Sequence, residues 1–175
     1  KIFKLFDMEL IDLIKQPTHG GSMRYVIARK GMRKIKKNVE IIIGEEKYNN
    51  LDNIKSCEKF KNNCEKSKMK LKKTLDTYKD EGKKIAGYAA TSKSTTILNY
   101  CNIGTDIIDF ICDTTQEKIN KYSPGMHIPI VPVDYFRNNM PDIAYLFAWN
   151  HKDEIFGKEK IFSETNNKWI SHIDL

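Results

Sequence analysis

No run of apolar residues in this chain approaches the eighteen or more that span a bilayer, and no secretory leader opens it. The expectation is a cytoplasmic protein with no membrane partner. Cysteine is scarce, with only Cys57, Cys64, Cys101 and Cys112 in 175 residues. Cys57 and Cys64 sit seven apart on a helical pattern, about 10 Å along the axis, too far for a bridge or a shared tetrahedral metal. Cys101 and Cys112 fall in apolar segments, where a buried free thiol is the ordinary state. A disulfide framework and a metal centre are therefore not expected, and a reducing compartment fits. Arginine is short as well, supplying four of the 30 basic residues behind a net charge of +7. The lysines share helices with Asn and Glu and do not alternate with aromatics and arginines, so the charge reads as a solvated surface and nucleic acid is not an expected partner. Finally, there is no Gly-x-Gly-x-x-Gly, which makes a dinucleotide dehydrogenase the weakest of the enzyme readings.

What the chain does have is enough apolar residue, 40%, to bury one core. Its centre is the stretch from Lys83 to Asp113. An apolar run at Ile85 to Ala90 gives way to small and hydroxyl residues, then to a helix-period segment, then to a second apolar run at Ile107 to Cys112. This order predicts a strand, a tight turn, a helix and a parallel strand. Unpaired N–H groups at such a turn attract anions, and Thr91, Ser92, Lys93, Ser94 and Thr95 lie there. Equally, those hydroxyls could serve only as helix caps. Asp113 follows the second strand, where a Rossmann-type fold keeps an acid for a ribose hydroxyl.

In chain order, Ile2 to Phe6 reads as a strand and Met23 to Ala28 as another, an orphan pair unable to bury a face alone. Between them, Thr18-His19-Gly20-Gly21-Ser22 is either a turn or a place where a ligand approaches backbone closely. Gly31 to Lys37 is a basic linker, and Asn38 is expected to cap a short helix. From about Asp52 to Glu81, Cys57, Phe60, Cys64, Leu71, Leu75 and Tyr78 recur at helical spacing, predicting one long amphipathic helix ended by Gly82. After Asp113 comes a long loop carrying Lys118, Lys121, Tyr122 and His127, with a turn at Pro124-Gly125 and a strand fragment at Ile128 to Val131. A short helix at Asp134 to Asn138, a buried strand from Pro141 to Trp149, a helix capped by Asn150 and a last strand at Lys168 to Ile173 complete the pattern. The fold class is α/β, a Rossmann-like parallel sheet flanked by helices over residues 83–175, preceded by a linker and long helix at 31–82 and the orphan strands at 1–30.

Four segments together resemble one family. They are Pro17 to Arg24, Gly87 to Cys101, Tyr122 to Ile130, and Trp149-Asn150 with Glu154-Ile155. In order and spacing these resemble the C-terminal part of the S-adenosylmethionine-dependent sugar C-methyltransferases, which act on nucleotide-linked keto-deoxysugars. Where that family commonly has Gly-Ala-Pro-Ala-Lys-Gly-Asn-Thr, this chain has Ala89-Ala90-Thr91-Ser92-Lys93-Ser94-Thr95-Thr96.

The resemblance implies a three-part enzyme with a zinc-binding module, a middle domain holding S-adenosylmethionine, and a C-terminal Rossmann-like domain that helps hold the sugar nucleotide. Residues 1–30 would then be the tail end of the middle domain, and the cofactor site, the zinc cysteines and the histidine base would lie outside this sequence. On that basis this chain should bind substrate without completing transfer. The substrate-binding candidates are His19, Gly20, Gly21 and Ser22 on the sugar side, then Thr91, Ser92, Lys93, Ser94, Thr95, Asn99, Asp113, Tyr122, Trp149 and Asn150. No catalytic or metal-binding residue is assigned. The expected partners are a nucleotide-linked sugar and the other domains of such an enzyme. A stand-alone nucleotide-binding module, or a structural or interaction domain whose turn binds nothing, are the alternatives.

Overall fold

A computed structural model describes residues 2–175. The chain divides into two compact units, residues 1–62 and 63–175. In the first, β1 (Met8–Gln16) pairs antiparallel with β2 (Ser22–Arg29), and α1 (Lys37–Tyr48) packs its Val39 and Ile42 on Leu13. Ile2 to Phe6 is not a strand: it is a short 3₁₀ turn, set off from β1 by Asp7 at φ 52°. The pairing slips at Ile11, whose carbonyl is thereby free to accept from the Lys36 backbone N–H at 2.9 Å. Asn38 does not cap α1. Its amide donates to Asp12 Oδ1 and to the Leu13 carbonyl, both at 2.6 Å, fixing the helix on the hairpin.

The long helix exists as α2 (Ile54–Asp80), but only Leu71 and Leu75 of its stripe are buried. Phe60 is 71% exposed, so the periodic pattern extends well beyond the face it buries. Gly82, at φ +74°, ends the helix with its N–H bonded to Lys79.

The second unit is a five-stranded parallel sheet in the order β5-β4-β3-β6-β7, formed by β3 (Ile85–Tyr88), β4 (Ile111–Asp113), β5 (Ile130–Pro132), β6 (Ile143–Leu146) and β7 (Lys168–Ile170). Five helices accompany it: the buried end of α2, then α3 (Ser92–Cys101), α4 (Val133–Asn138), α5 (Lys152–Lys158) and α6 (Lys160–Glu164). The strands alternate cleanly. Ile85, Ile143, Tyr145 and Phe147 join Leu71, Leu75 and Leu98 on one face, while Ala86, Tyr88, Ala144, Leu146 and Ala148 join Phe136, Ile155 and Phe162 on the other. This is the α/β Rossmann-like arrangement. Gly87 lets the layers close. A Cβ there would meet Phe147 Cε2 at 2.7 Å and Ile111 Cγ1 at 2.9 Å.

Strand ends are shorter than the apolar runs that mark them. Ile107 and Ile108 turn back on the Gly104 carbonyl, so β4 begins at Ile111. Beyond Ile170 the chain turns, with the Asp174 N–H on Ser171. Among the described residues no helix is long and apolar enough to cross a membrane, and all four cysteines are free.

Candidate functional site at the sheet's carboxyl edge

The carboxyl ends of β3 and β6 lie side by side. From β3 the chain adds β4 and β5 on one side, then crosses to β6 and β7 on the other. Open parallel sheets gather ligands in the crevice at this reversal. Lys93, in the first turn of α3, and Asn150, in the 3₁₀ turn that leaves β6, meet there. The Lys93 ammonium donates to Asn150 Oδ1 and sits 5.2 Å from the centre of the Trp149 ring. Asn150 therefore does not cap α5, whose preceding residue is His151.

The turn before Lys93 is built without glycine. Ala89 carries φ 73°, a left-handed conformation that glycine would adopt at less cost. Its neighbours are fixed by charge. The Ala90 N–H donates to Asp113 Oδ2 at 2.7 Å, and Lys118 donates to the Ala90 carbonyl at 2.8 Å while pairing with the same carboxylate at 3.2 Å. The Thr115 N–H completes Asp113 at 2.8 Å. Burial alone would push the Asp113 carboxyl up, but the donors from Thr115 and Lys118 outweigh it and hold the group below its usual value. Asp113 thus sets the shape of the turn.

The hydroxyls divide between two roles. Thr91 caps α3 by accepting from the Ser94 N–H at 3.2 Å, and Ser94, nearly fully buried, donates to the Thr91 carbonyl at 2.6 Å. Thr91, Ser92 and Thr95 also line a cavity of about 260 Å³ with Lys118, Lys121 and Tyr122 of the long loop. Asn99 anchors that loop, its amide donating to the carbonyls of Thr95 at 2.8 Å and Pro124 at 2.9 Å. Gly125 beside it has φ +81° and no room for a Cβ, which would lie 1.9 Å from Asn99 Oδ1.

Two comparisons bear on what this edge belongs to. Residues 17–173 match the model of a family described as the C-methyltransferase C-terminal domain. The chain belongs to the C-methyltransferase C-terminal domain family. It is also 28% identical over 170 residues to the C-methyltransferase NovU of Streptomyces niveus. That similarity covers 97% of this chain and 40% of NovU, so the chain spans well under half the length of that relative.

Within this C-methyltransferase C-terminal domain, the candidates from sequence fall into two groups. Thr91 to Thr95, Asn99, Asp113, Tyr122, Trp149 and Asn150 all belong to the sheet unit, around the carboxyl edge. His19, Gly20, Gly21 and Ser22 belong to the other unit, at the exposed β1–β2 connection. There His19, Gly20 and Gly21 take φ of 55°, 86° and 127° in succession, with the Gly21 N–H on the Thr18 carbonyl at 3.0 Å. Three features went unread. Lys118, in sequence a loop donor, is the ion-pair partner of Asp113, and its place five residues past that acid is the signal for the pair. The Tyr145 hydroxyl meets His172 Nδ1 at 3.1 Å near Lys93, and burial pushes the His172 imidazole below its ordinary pKa, with Asp174 opposing and Lys93 assisting. Buried Glu159 accepts from Tyr88 at 2.8 Å and from Arg137 at 2.8 and 3.0 Å, a link that sequence spacing could not reveal.

Proposed function

We propose that this chain holds the substrate of a C-methyltransferase, a nucleotide-linked keto-deoxysugar, with the diphosphate at Lys93. The observation that carries the reading is the meeting of Lys93, Asn150 and Trp149 at the strand reversal. An ammonium fixed there by an amide and an indole is preorganised for an anionic ligand. The occupied Asp113 and Lys118 hold the turn rigid beneath it. Residues 1–30 read as part of a methyltransferase domain, 31–82 as the connection and 83–175 as the substrate-holding Rossmann-like domain. His19 to Ser22, exposed and conformationally committed, are substrate-binding candidates of their own unit.

S-adenosylmethionine supplies the methyl group in such an enzyme. The turn after β3 does not fit that cofactor. No glycine lies between Tyr88 and Ile103, and the acid that would take ribose hydroxyls is already engaged by Ala90, Thr115 and Lys118. No transfer step is derived from these residues.

Calorimetric titration with a thymidine diphosphate sugar, run beside S-adenosylmethionine, tests the reading. The sugar nucleotide should bind and S-adenosylmethionine should not, and Lys93→Ala should weaken binding about tenfold or more, as loss of a charge-assisted contact does. Absence of sugar-nucleotide binding, or equal binding by the variant, would contradict it.

A further inference from the structure

The chain's positive charge is not spread evenly. Arg29-Lys30-Gly31-Met32-Arg33-Lys34-Ile35-Lys36-Lys37 holds six of the 30 basic residues and none of the 23 acidic ones, so the rest of a chain of net charge +7 is close to neutral. This segment leads from β2 into α1 within residues 1–62, and all nine of its residues are exposed. Both ends are pinned to the hairpin. The Lys30 N–H donates to the Asp7 carbonyl at 3.0 Å, the Gly31 N–H to Glu9 Oε1 at 2.8 Å, and the Lys36 N–H to the Ile11 carbonyl at 2.9 Å. Of the six cations, only Lys36 forms an ion pair among the described residues, with Asp12. Between the cations stand Met32, 71% exposed, and Ile35, 45% exposed. Lys34, Ile35, Lys36 and Lys37 line a recess of about 570 Å³, with Glu40 at its wall.

We propose that this segment is a docking surface for an anionic lipid bilayer. Cations gathered in one loop raise a local potential that the chain-wide average conceals. A bilayer supplies a plane of phosphates for those cations and an acyl boundary for the apolar side chains between them. Each cation brought to such a surface raises partitioning about fivefold, so the five unpaired ones together supply on the order of a thousandfold. A nucleic acid would satisfy the cations alone. A duplex meets them through its phosphates and leaves Met32 and Ile35 without a partner, and a single strand calls for aromatic rings that the segment lacks. A surface that served solubility alone would mix both signs, as the rest of the chain does. The segment shares no residue with the sheet edge, so lipid binding and substrate binding stand or fall separately.

Co-sedimentation of the chain with phosphatidylglycerol vesicles, beside phosphatidylcholine vesicles of the same size, is the test. The chain should bind the first and not the second, and binding should fall steeply as salt shortens the Debye length. Arg33→Gln combined with Lys34→Gln should weaken binding roughly 25-fold. Lys55→Gln combined with Lys59→Gln, an equal loss of exposed charge on α2, should leave it within about twofold. Met32→Ser should weaken binding about tenfold without changing the salt slope, since it removes apolar surface and no charge. All these residues are exposed, so thermal unfolding should be the same in every variant. In the unmutated chain, spin-labelled lipid should attenuate the Met32 and Ile35 methyl signals ahead of other methyl groups. Equal losses in the two double variants, equal binding to both vesicle types, attenuation centred elsewhere, or no binding at millimolar lipid overturns the docking surface. A DNA duplex that binds more tightly than the vesicles at the same salt, and is weakened by Arg33→Gln with Lys34→Gln, overturns the lipid assignment in favour of nucleic acid.

Discussion

Ala89 and Gly87 stand two residues apart at the end of β3 and make opposite demands. Ala89 holds a left-handed backbone that suits glycine, and Gly87 fills a place that excludes any side chain. Ala89→Gly should raise stability by roughly 1 kcal/mol, a rise of a few degrees in Tm, if the relief of strain exceeds the added chain entropy. Gly87→Ala should cost about 1–3 kcal/mol by forcing Phe147 and Ile111 apart. Thermal unfolding of the pair checks both signs, and a lowered Tm for Ala89→Gly would show that the turn is not strained. His172 and Asp113 both contribute to the response to acid. Burial lowers the His172 pKa, so the unfolded chain takes up a proton near pH 6.5 that the folded chain refuses, and stability falls as pH drops below that value. The Asp113 pKa is also lowered, so its contribution is complete above about pH 3.8 and is lost as pH falls through the folded value. Tm should therefore fall between pH 7 and pH 5, and His172→Gln should reduce that fall.

At the scale of elements, α2 carries two behaviours in one helix. Its first half has no buried residue, while Leu71 and Leu75 lie in the core of the sheet unit. Amide exchange should be fast before about residue 63 and slow around Leu71 and Leu75, because only the latter turns need global opening. Uniform protection along α2 would contradict this. The same helix marks where sequence reading stops. Periodicity shows which face is apolar but not what covers it, so Phe60 and Leu75 occupy equivalent places in the pattern although one is exposed and the other buried. The β3–α3–β4 unit was legible because small residues, a capping Thr91 and two β-rich runs agree with one another. Ile2 to Phe6 is an apolar-rich run that mimics a strand, whereas Met8 to Gln16, the true β1, does not alternate in sequence because it carries a bulge at Ile11. The position of Asn150 in sequence fits a helix cap. Its actual partner, Lys93, is 57 residues away, and only the sheet order brings them together.

For the molecule as a whole, the family and the fold were readable together, whereas the site was readable only as a set of candidates. Sequence spacing identifies turns at strand ends, but which turns share an edge depends on strand order. Here that order places the turn after β3 beside the turn after β6, and so joins the Lys93 segment to the Trp149-Asn150 segment. The proposed substrate site is that junction. The direct test is a ¹⁵N–¹H correlation titration of the chain with a thymidine diphosphate sugar. Amide shifts should concentrate at residues 89–95 and 148–152, with the indole N–H of Trp149 among the largest. Shifts centred elsewhere, or none at millimolar ligand, would contradict the claim that this edge holds the substrate.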